Sequence, residues 1–197
     1  RTYENIFGRN YYFLKGIYPK ILEFFPELSD VSLDDFYKAV NKPENSLIRI
    51  EADELTYSLH VMIRYEIEKL LFEGKIEVEE LPKIWNEKIK AYLGIDVPSD
   101  SKGVLQDVHW AGGLFGYFPS YSLGNAYASQ IVEVMKKDLD LNSLLEKGDF
   151  KVINNWLQEK VHKKGLLLDP NDLIGSICKE ELNPMPFINY LKDKFEN

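Results

Sequence analysis

Residues 51–72 read Glu51-Ala52-Asp53-Glu54-Leu55-Thr56-Tyr57-Ser58-Leu59-His60-Val61-Met62-Ile63-Arg64-Tyr65-Glu66-Ile67-Glu68-Lys69-Leu70-Leu71-Phe72, with Gly74 just beyond. The stretch holds no proline or glycine, and its apolar positions recur at three and four rather than two, which is the period of a helix. Ala52, Leu55, Leu59, Met62, Ile63 and Leu70 share one arc and are expected to face a core. Asp53, Tyr57, His60 and Arg64 share another, whose plainest reading is a solvated polar stripe. Glu66 falls inside the apolar arc, where a carboxylate needs a partner or stays protonated; a structural salt bridge is expected there. Gly74 supplies the stop.

The same period extends in both directions. Tyr3, Phe7, Tyr11, Leu14, Ile17, Ile21 and Phe24 mark a helix over about 3–25, with a kink or break near Ile17–Pro19. Asp34 and Asp35 head a short helix ending near Val40. Further helices are expected over about 78–93, with Pro82 in the first turn and Gly94 at the close, and from Pro119 to about Lys137. Three short ones, about 150–163, 171–181 and 184–195, finish the chain. Asn41-Lys42-Pro43-Glu44-Asn45 is a turn signal, and Ser46-Leu47-Ile48-Arg49-Ile50 after it suggests a short strand. Residues 95–124 are the least regular. The expected fold is mainly α, an irregular multi-helix domain with a short β element near 46–50. With no internal repeat, low-complexity tract or linker, residues 1–197 are expected to form a single helical domain.

The chain has 197 residues, 45% hydrophobic and 13% aromatic. A chain of this size buries roughly 70% of its unfolded surface, so a sizeable core is expected. Against 24 Lys+Arg stand 32 Asp+Glu, a net charge of −8. That balance speaks against nucleic acid and against a polybasic membrane anchor as partners. No apolar run approaches the ~20 residues that span a bilayer, so no membrane partner is expected. The single cysteine, Cys178, permits neither an intrachain disulfide nor a cysteine-rich zinc site, and suits a reducing, cytoplasmic setting. It reads as a buried structural thiol. The chain opens Arg1-Thr2-Tyr3-Glu4 with no signal-peptide pattern, and is expected to be a piece of something longer.

The 3 histidines, His60, His109 and His162, share no i, i+4 spacing. A nucleophile elbow, a phosphate-binding loop and a dinucleotide fingerprint are all missing from the sequence. Two places stand out. Arg49, on a strand-like edge, is suited to gripping a carboxylate through two parallel hydrogen bonds, although an ion pair with Glu51 or another acid is the plainer account of its spacing. His109-Trp110 is followed by Gly112-Gly113-Leu114-Phe115-Gly116-Tyr117-Phe118-Pro119 and Tyr121. Its glycines let backbone approach a ligand and its tyrosine hydroxyls suit an oxyanion. A tight turn with core aromatics fits that composition equally well.

Ile48-Arg49-Ile50-Glu51-Ala52-Asp53-Glu54-Leu55-Thr56-Tyr57-Ser58-Leu59-His60, Gln106-Asp107-Val108-His109-Trp110, Phe115-Gly116-Tyr117-Phe118-Pro119-Ser120-Tyr121-Ser122-Leu123-Gly124 and Leu182-Asn183-Pro184 occur in this order. Together they resemble the C-terminal part of the carboxypeptidase Taq (thermostable carboxypeptidase) family of zinc metallocarboxypeptidases. Arg1, Glu4-Asn5 and Gly8-Arg9 are similar to the segment following the family's H-E-S-x-S motif. The resemblance implies part of a groove-type metallopeptidase fold, usually a homodimer. It also implies release of single residues from peptide C-termini with zinc or another divalent metal. The family's metal ligands and water-activating glutamate lie in H-E-x-x-H and H-E-S-x-S motifs upstream of Arg1. The resemblance therefore implies a C-terminal fragment, with no metal ligands and no activity of its own. Its partner would be a peptide with a free C-terminus, gripped by Arg49. His109, Tyr117 and Tyr121 would be the catalytic candidates at the transition state. Two alternatives stay open: a non-catalytic helical interaction module, and a groove-type oligopeptidase of related fold. An H-E-x-x-H motif in the upstream coding sequence separates the first of these from the peptidase.

Overall fold

The computed structural model of the chain describes residues 2–196. Its helices are α1 (Tyr11–Phe24), α2 (Leu33–Val40), α3 (Tyr57–Phe72), α4 (Leu81–Leu93), α5 (Pro119–Asp138), α6 (Leu141–Lys147), α7 (Phe150–Lys160), α8 (Pro170–Cys178) and α9 (Met185–Phe195). Two compact units are present, Arg1–Asn41 with Gly124–Asn197, and Lys42–Leu123.

The first unit is centred on Phe7, Val132, Met135, Leu145, Ile153 and Ile177, all buried. Its chain begins with a π-helical turn, Thr2–Phe7, and the helix expected over 3–25 is interrupted at Gly8–Asn10 rather than broken near Ile17–Pro19, with the Asn10 side chain capping α1. Pro19 lies inside α1. Gly16 lies so close to α6 that a Cβ there would stand 2.0 Å from the Glu146 carbonyl oxygen. That short helix has no counterpart in the periodic reading; Asp140 caps its start and Gly148, at φ 68°, its end. The Gln130 side chain, 1% exposed, donates to the Glu181 carbonyl at 2.9 Å and accepts from Asn183 N–H at 3.0 Å. Cys178 leans on the Gln130 carbonyl, and burial pushes its thiol up, as suits a structural role.

The second unit is built on α3 and α4, whose Ile63, Ile67, Trp85, Ile89 and Leu93 are sealed from solvent. Helix α3 starts at Tyr57 because Asp53 accepts the N–H groups of Leu55 at 2.8 Å and Thr56 at 3.0 Å. Its buried face carries Tyr57, His60, Val61, Ile63, Arg64, Ile67 and Glu68, whereas Met62 is exposed. The solvated stripe is thus a misreading: His60 and Arg64 are both 0% exposed. Glu66 has the expected partner, Lys88 Nζ at 2.6 Å, with the Tyr92 hydroxyl at 2.5 Å.

The short β element does not exist. Among the described residues there is no β-strand, and Arg49–Glu51 is one turn of 3₁₀-helix. The N–H of Glu51 bonds the Ile48 carbonyl at 3.1 Å, and that of Ala52 bonds the Arg49 carbonyl at 3.2 Å. The Arg49 N–H goes to the Gln106 side chain at 2.9 Å, not to a ladder. Arg49 is buried and Ile50 is 76% exposed, the reverse of a strand with its apolar residues inward.

Candidate functional site

The site lies wholly in the second unit. Arg49 leaves its 3₁₀ turn inward and meets Asp107, with Nη2 2.7 Å and Nε 3.2 Å from Oδ1. Its Nη1 donates to the Tyr57 hydroxyl at 3.1 Å, and its guanidinium lies 4.8 Å from the Tyr121 ring centre. Arg64, two turns into α3, takes the other oxygen: its Nε is 2.6 Å from Asp107 Oδ2. Its remaining donors reach the His60 carbonyl at 2.8 Å and Gln106 Oε1 at 2.9 Å, and its plane lies 4.6 Å from the Trp85 ring centre. Gln106 in turn donates to the Leu47 carbonyl at 3.0 Å, so the carboxylate and its neighbour are held from several sides.

The electrostatics follow. Burial alone would raise the Asp107 carboxyl, but the Arg49 hydrogen bonds and the Arg64 charge hold it below the usual range. Burial pulls Arg64 down to about 10, against the pull of Asp107, and it stays cationic at neutral pH. Arg49, despite its burial, is raised by Asp107. Among the described residues, Asp107 is the one carboxylate within ion-pair distance of either guanidinium. One anion is therefore shared by two cations.

His60 stands beside them, fully buried, with the Ser46 backbone as the polar group that favours its charged form. Burial, then the Arg64 and Arg49 charges, lower its pKa to about 4. An unfolded histidine titrates near 6.5, so from pH ~6.5 down to ~4 the unfolded chain takes up a proton that the folded one refuses. Stability is lost as pH falls through that window, by about 3 kcal/mol in all. In His60→Leu, this part of the acid loss is expected to vanish. Melting temperatures measured in steps from pH 7 to pH 4 would show a shallower decline than in the wild type.

His109 Nε2 lies 3.1 Å from the Tyr121 hydroxyl. The imidazole packs 4.6 Å from the Phe118 ring and 5.6 Å from that of Tyr117. Tyr117 and Tyr121 meet edge to face at 5.4 Å, and Tyr117 is 45% exposed. Burial, then the neighbouring Tyr117, raise the Tyr121 hydroxyl, so it keeps its proton at neutral pH and can donate it in a hydrogen bond. Arg49, His109, Tyr117 and Tyr121, separated in sequence, form one cluster. The residues that sequence reading passed over are Arg64, assigned to solvent, and Asp107 with Gln106, quoted only as part of a motif. The signal available for Arg64 was its place one turn after His60 on the same face.

Comparison with known proteins places the chain among the metallopeptidases. It belongs to the carboxypeptidase Taq (M32) metallopeptidase family, which it matches over residues 1–195. It is 52% identical to carboxypeptidase 1 of Bacillus subtilis, over 99% of this chain and 39% of that protein. Thermostable carboxypeptidase 1 of Thermus thermophilus is 45% identical, over 99% of this chain and 38% of its own length. Among solved structures, Trypanosoma cruzi metallocarboxypeptidase 1 superposes with a TM-score of 0.94 at 38% identity, over 98% of this chain and 40% of that one. The chain thus spans about two fifths of the length of the relatives it matches.

The family implies a zinc ion. Among the described residues no group of three or more His, Cys, Asp or Glu side chains could hold a metal ion. His109 Nδ1 stands 3.8 Å from Asp107 Oδ1, and both oxygens of that carboxylate are engaged by arginine. The described residues do not fit the metal. What they offer is anion recognition and hydrogen-bond donation.

Proposed function

We propose that this chain is the substrate-gripping part of a zinc-dependent metallocarboxypeptidase that removes single residues from peptide C-termini. The observation that carries this reading is the surplus of positive charge at Asp107. Arg49 and Arg64 are buried, they share one carboxylate, and Arg49 uses three of its five N–H groups on Asp107 and Tyr57. Burying a charge is costly unless it is paired, and a guanidinium with donors to spare matches a carboxylate in shape and charge. A peptide's free terminus is such an anion.

With the terminal carboxylate on Arg49, the reacting carbonyl lies one residue back along the peptide. Tyr121, protonated and tied to His109, and the more exposed Tyr117 are the donors for the oxygen that becomes negative there. Glycines at 112, 113 and 116 leave room for backbone beside that peptide. The zinc, with its ligands and its activated water, belongs to residues outside this chain. The whole enzyme is proposed to be a cytoplasmic homodimer that uses neither nucleic acid nor membrane.

The test uses the full-length protein with zinc and one model peptide in two forms, with a free C-terminus and as the C-terminal amide. Mass spectrometry is expected to show successive single-residue losses from the first and almost none from the second. Internal cuts, or equal attack on the amide, would support an oligopeptidase instead. No hydrolysis of either form would leave the interaction module.

A further inference from the structure

Helix α3 does more than supply Arg64. One turn further along, Glu68 is 7% exposed and accepts from the Trp110 indole N–H at 3.0 Å and from the Gly116 backbone N–H. One turn beyond that, Phe72 meets Phe115 edge to face at 5.2 Å. Successive turns of one helix thus hold successive parts of the irregular segment: Arg64 at Asp107, Glu68 at Trp110 and Gly116, Phe72 at Phe115. His109 lies between the first two ties and Tyr117 follows directly on the second.

Glu68 is unusual among these ties. Among the described residues no cation stands within ion-pair distance of it, so a buried carboxylate is stabilised by two neutral N–H donors alone. Core packing would be served by an apolar side chain at lower cost, since a buried polar group is unfavourable unless hydrogen-bonded. A carboxylate does what an apolar group cannot: its two oxygens fix two donors, six residues apart in sequence, at one point. Gly116 itself, at φ 73°, has the left-handed backbone that turns its N–H toward the helix.

We propose that Glu68 is a positioning residue for the reaction: by pinning Trp110 and Gly116 to α3 it sets His109 and Tyr117 at the reacting carbonyl. This rests on the carboxypeptidase reading above. It predicts a division of labour within the cluster. The Arg49–Asp107–Arg64 network governs capture of the terminal carboxylate and hence KM, whereas the Glu68 tie governs the groups that meet the transition state and hence kcat.

The experiment compares full-length wild type with Glu68→Gln, whose amide accepts from one donor and presents its own N–H groups to the other. With a free-terminus peptide, kcat is expected to fall about tenfold to a hundredfold, the range that small misplacements of catalytic groups produce, with KM changed less than about twofold. The Trp110 indole N–H resonance, assigned by its loss in Trp110→Phe, is expected to move in the Glu68→Gln protein. A moved resonance with unchanged kcat overturns the proposal, and so does a loss carried entirely in KM. Should Glu68→Gln not fold, Trp110→Phe decides: it keeps a ring in place and removes one tie, and wild-type kcat there overturns the proposal. A wild-type protein that hydrolyses no peptide overturns the carboxypeptidase reading itself, an outcome distinct from these.

Discussion

Arg49→Ala in the full-length protein is expected to lower kcat/KM for free-terminus peptides roughly a hundredfold, equivalent to about 3 kcal/mol of lost charge-assisted binding. The loss should fall mainly on KM, because the proposed grip on a terminal carboxylate would be equal before and during reaction. The same peptide as its C-terminal amide never offered that anion, so its already slow turnover should change by less than about threefold. The ratio of the two rates is therefore the decisive quantity, and it should collapse in the variant. Arg49→Lys keeps the charge but not the planar fork that meets Asp107 and Tyr57 together, and should recover only part of the ratio. Equal losses on both substrates would mean that Arg49 serves structure alone. Folding of the variant has a built-in safeguard: Asp107 retains Arg64 at 2.6 Å, so the carboxylate is not stranded.

Most helices were legible because their signals are local, whereas the short α6 between Asp140 and Gly148 was not. Pro82 and Gly94 bracket α4, Ser32 caps α2 ahead of Asp34 and Asp35, and the punctuation at Pro170 and Pro184 stands where α8 and α9 begin. The strand at 46–50 failed because alternation is a statement about two faces, and here neither face has a sheet to meet. The Gln106 side chain takes the N–H that a ladder would have used. The polar stripe on α3 failed for a related reason. Hydropathy scores Arg64 as a surface residue, yet Asp107, the Gln106 oxygen and the Trp85 face make its burial tolerable, and all of these lie more than twenty residues away in sequence. Arg49, His109, Tyr117 and Tyr121 were legible as candidates from their residue types and motif resemblance. Their convergence was not, since it depends on a 3₁₀ turn and an irregular loop for which no periodicity exists.

Removing the shared anion should have the largest effect on stability. In Asp107→Ala, two buried guanidinium groups lose their common partner, and breaking a buried ion pair from one side costs about 3–5 kcal/mol. Against a total of about 5–15 kcal/mol for a typical domain, that is enough to lower the melting temperature by several degrees. Asp107→Asn should fall between, since one oxygen remains to accept while the amide N–H opposes an arginine. The pH dependence separates the charge from the shape. Because the folded Asp107 titrates below an ordinary aspartate, its contribution is fully present above pH ~3.9, the unfolded value, and is lost as pH falls through the lower folded value. Asp107→Asn has no such loss, so the two stability curves should converge in acid. If the site is built to take a second carboxylate, a small one such as formate or acetate should raise the melting temperature of Asp107→Ala more than that of the wild type. In the variant an added anion meets two unpaired guanidinium groups, and in the wild type only the unused donors of Arg49. Stabilisation of the two proteins to the same extent would show that the added anions act elsewhere, and that the paired arginines are closed to them.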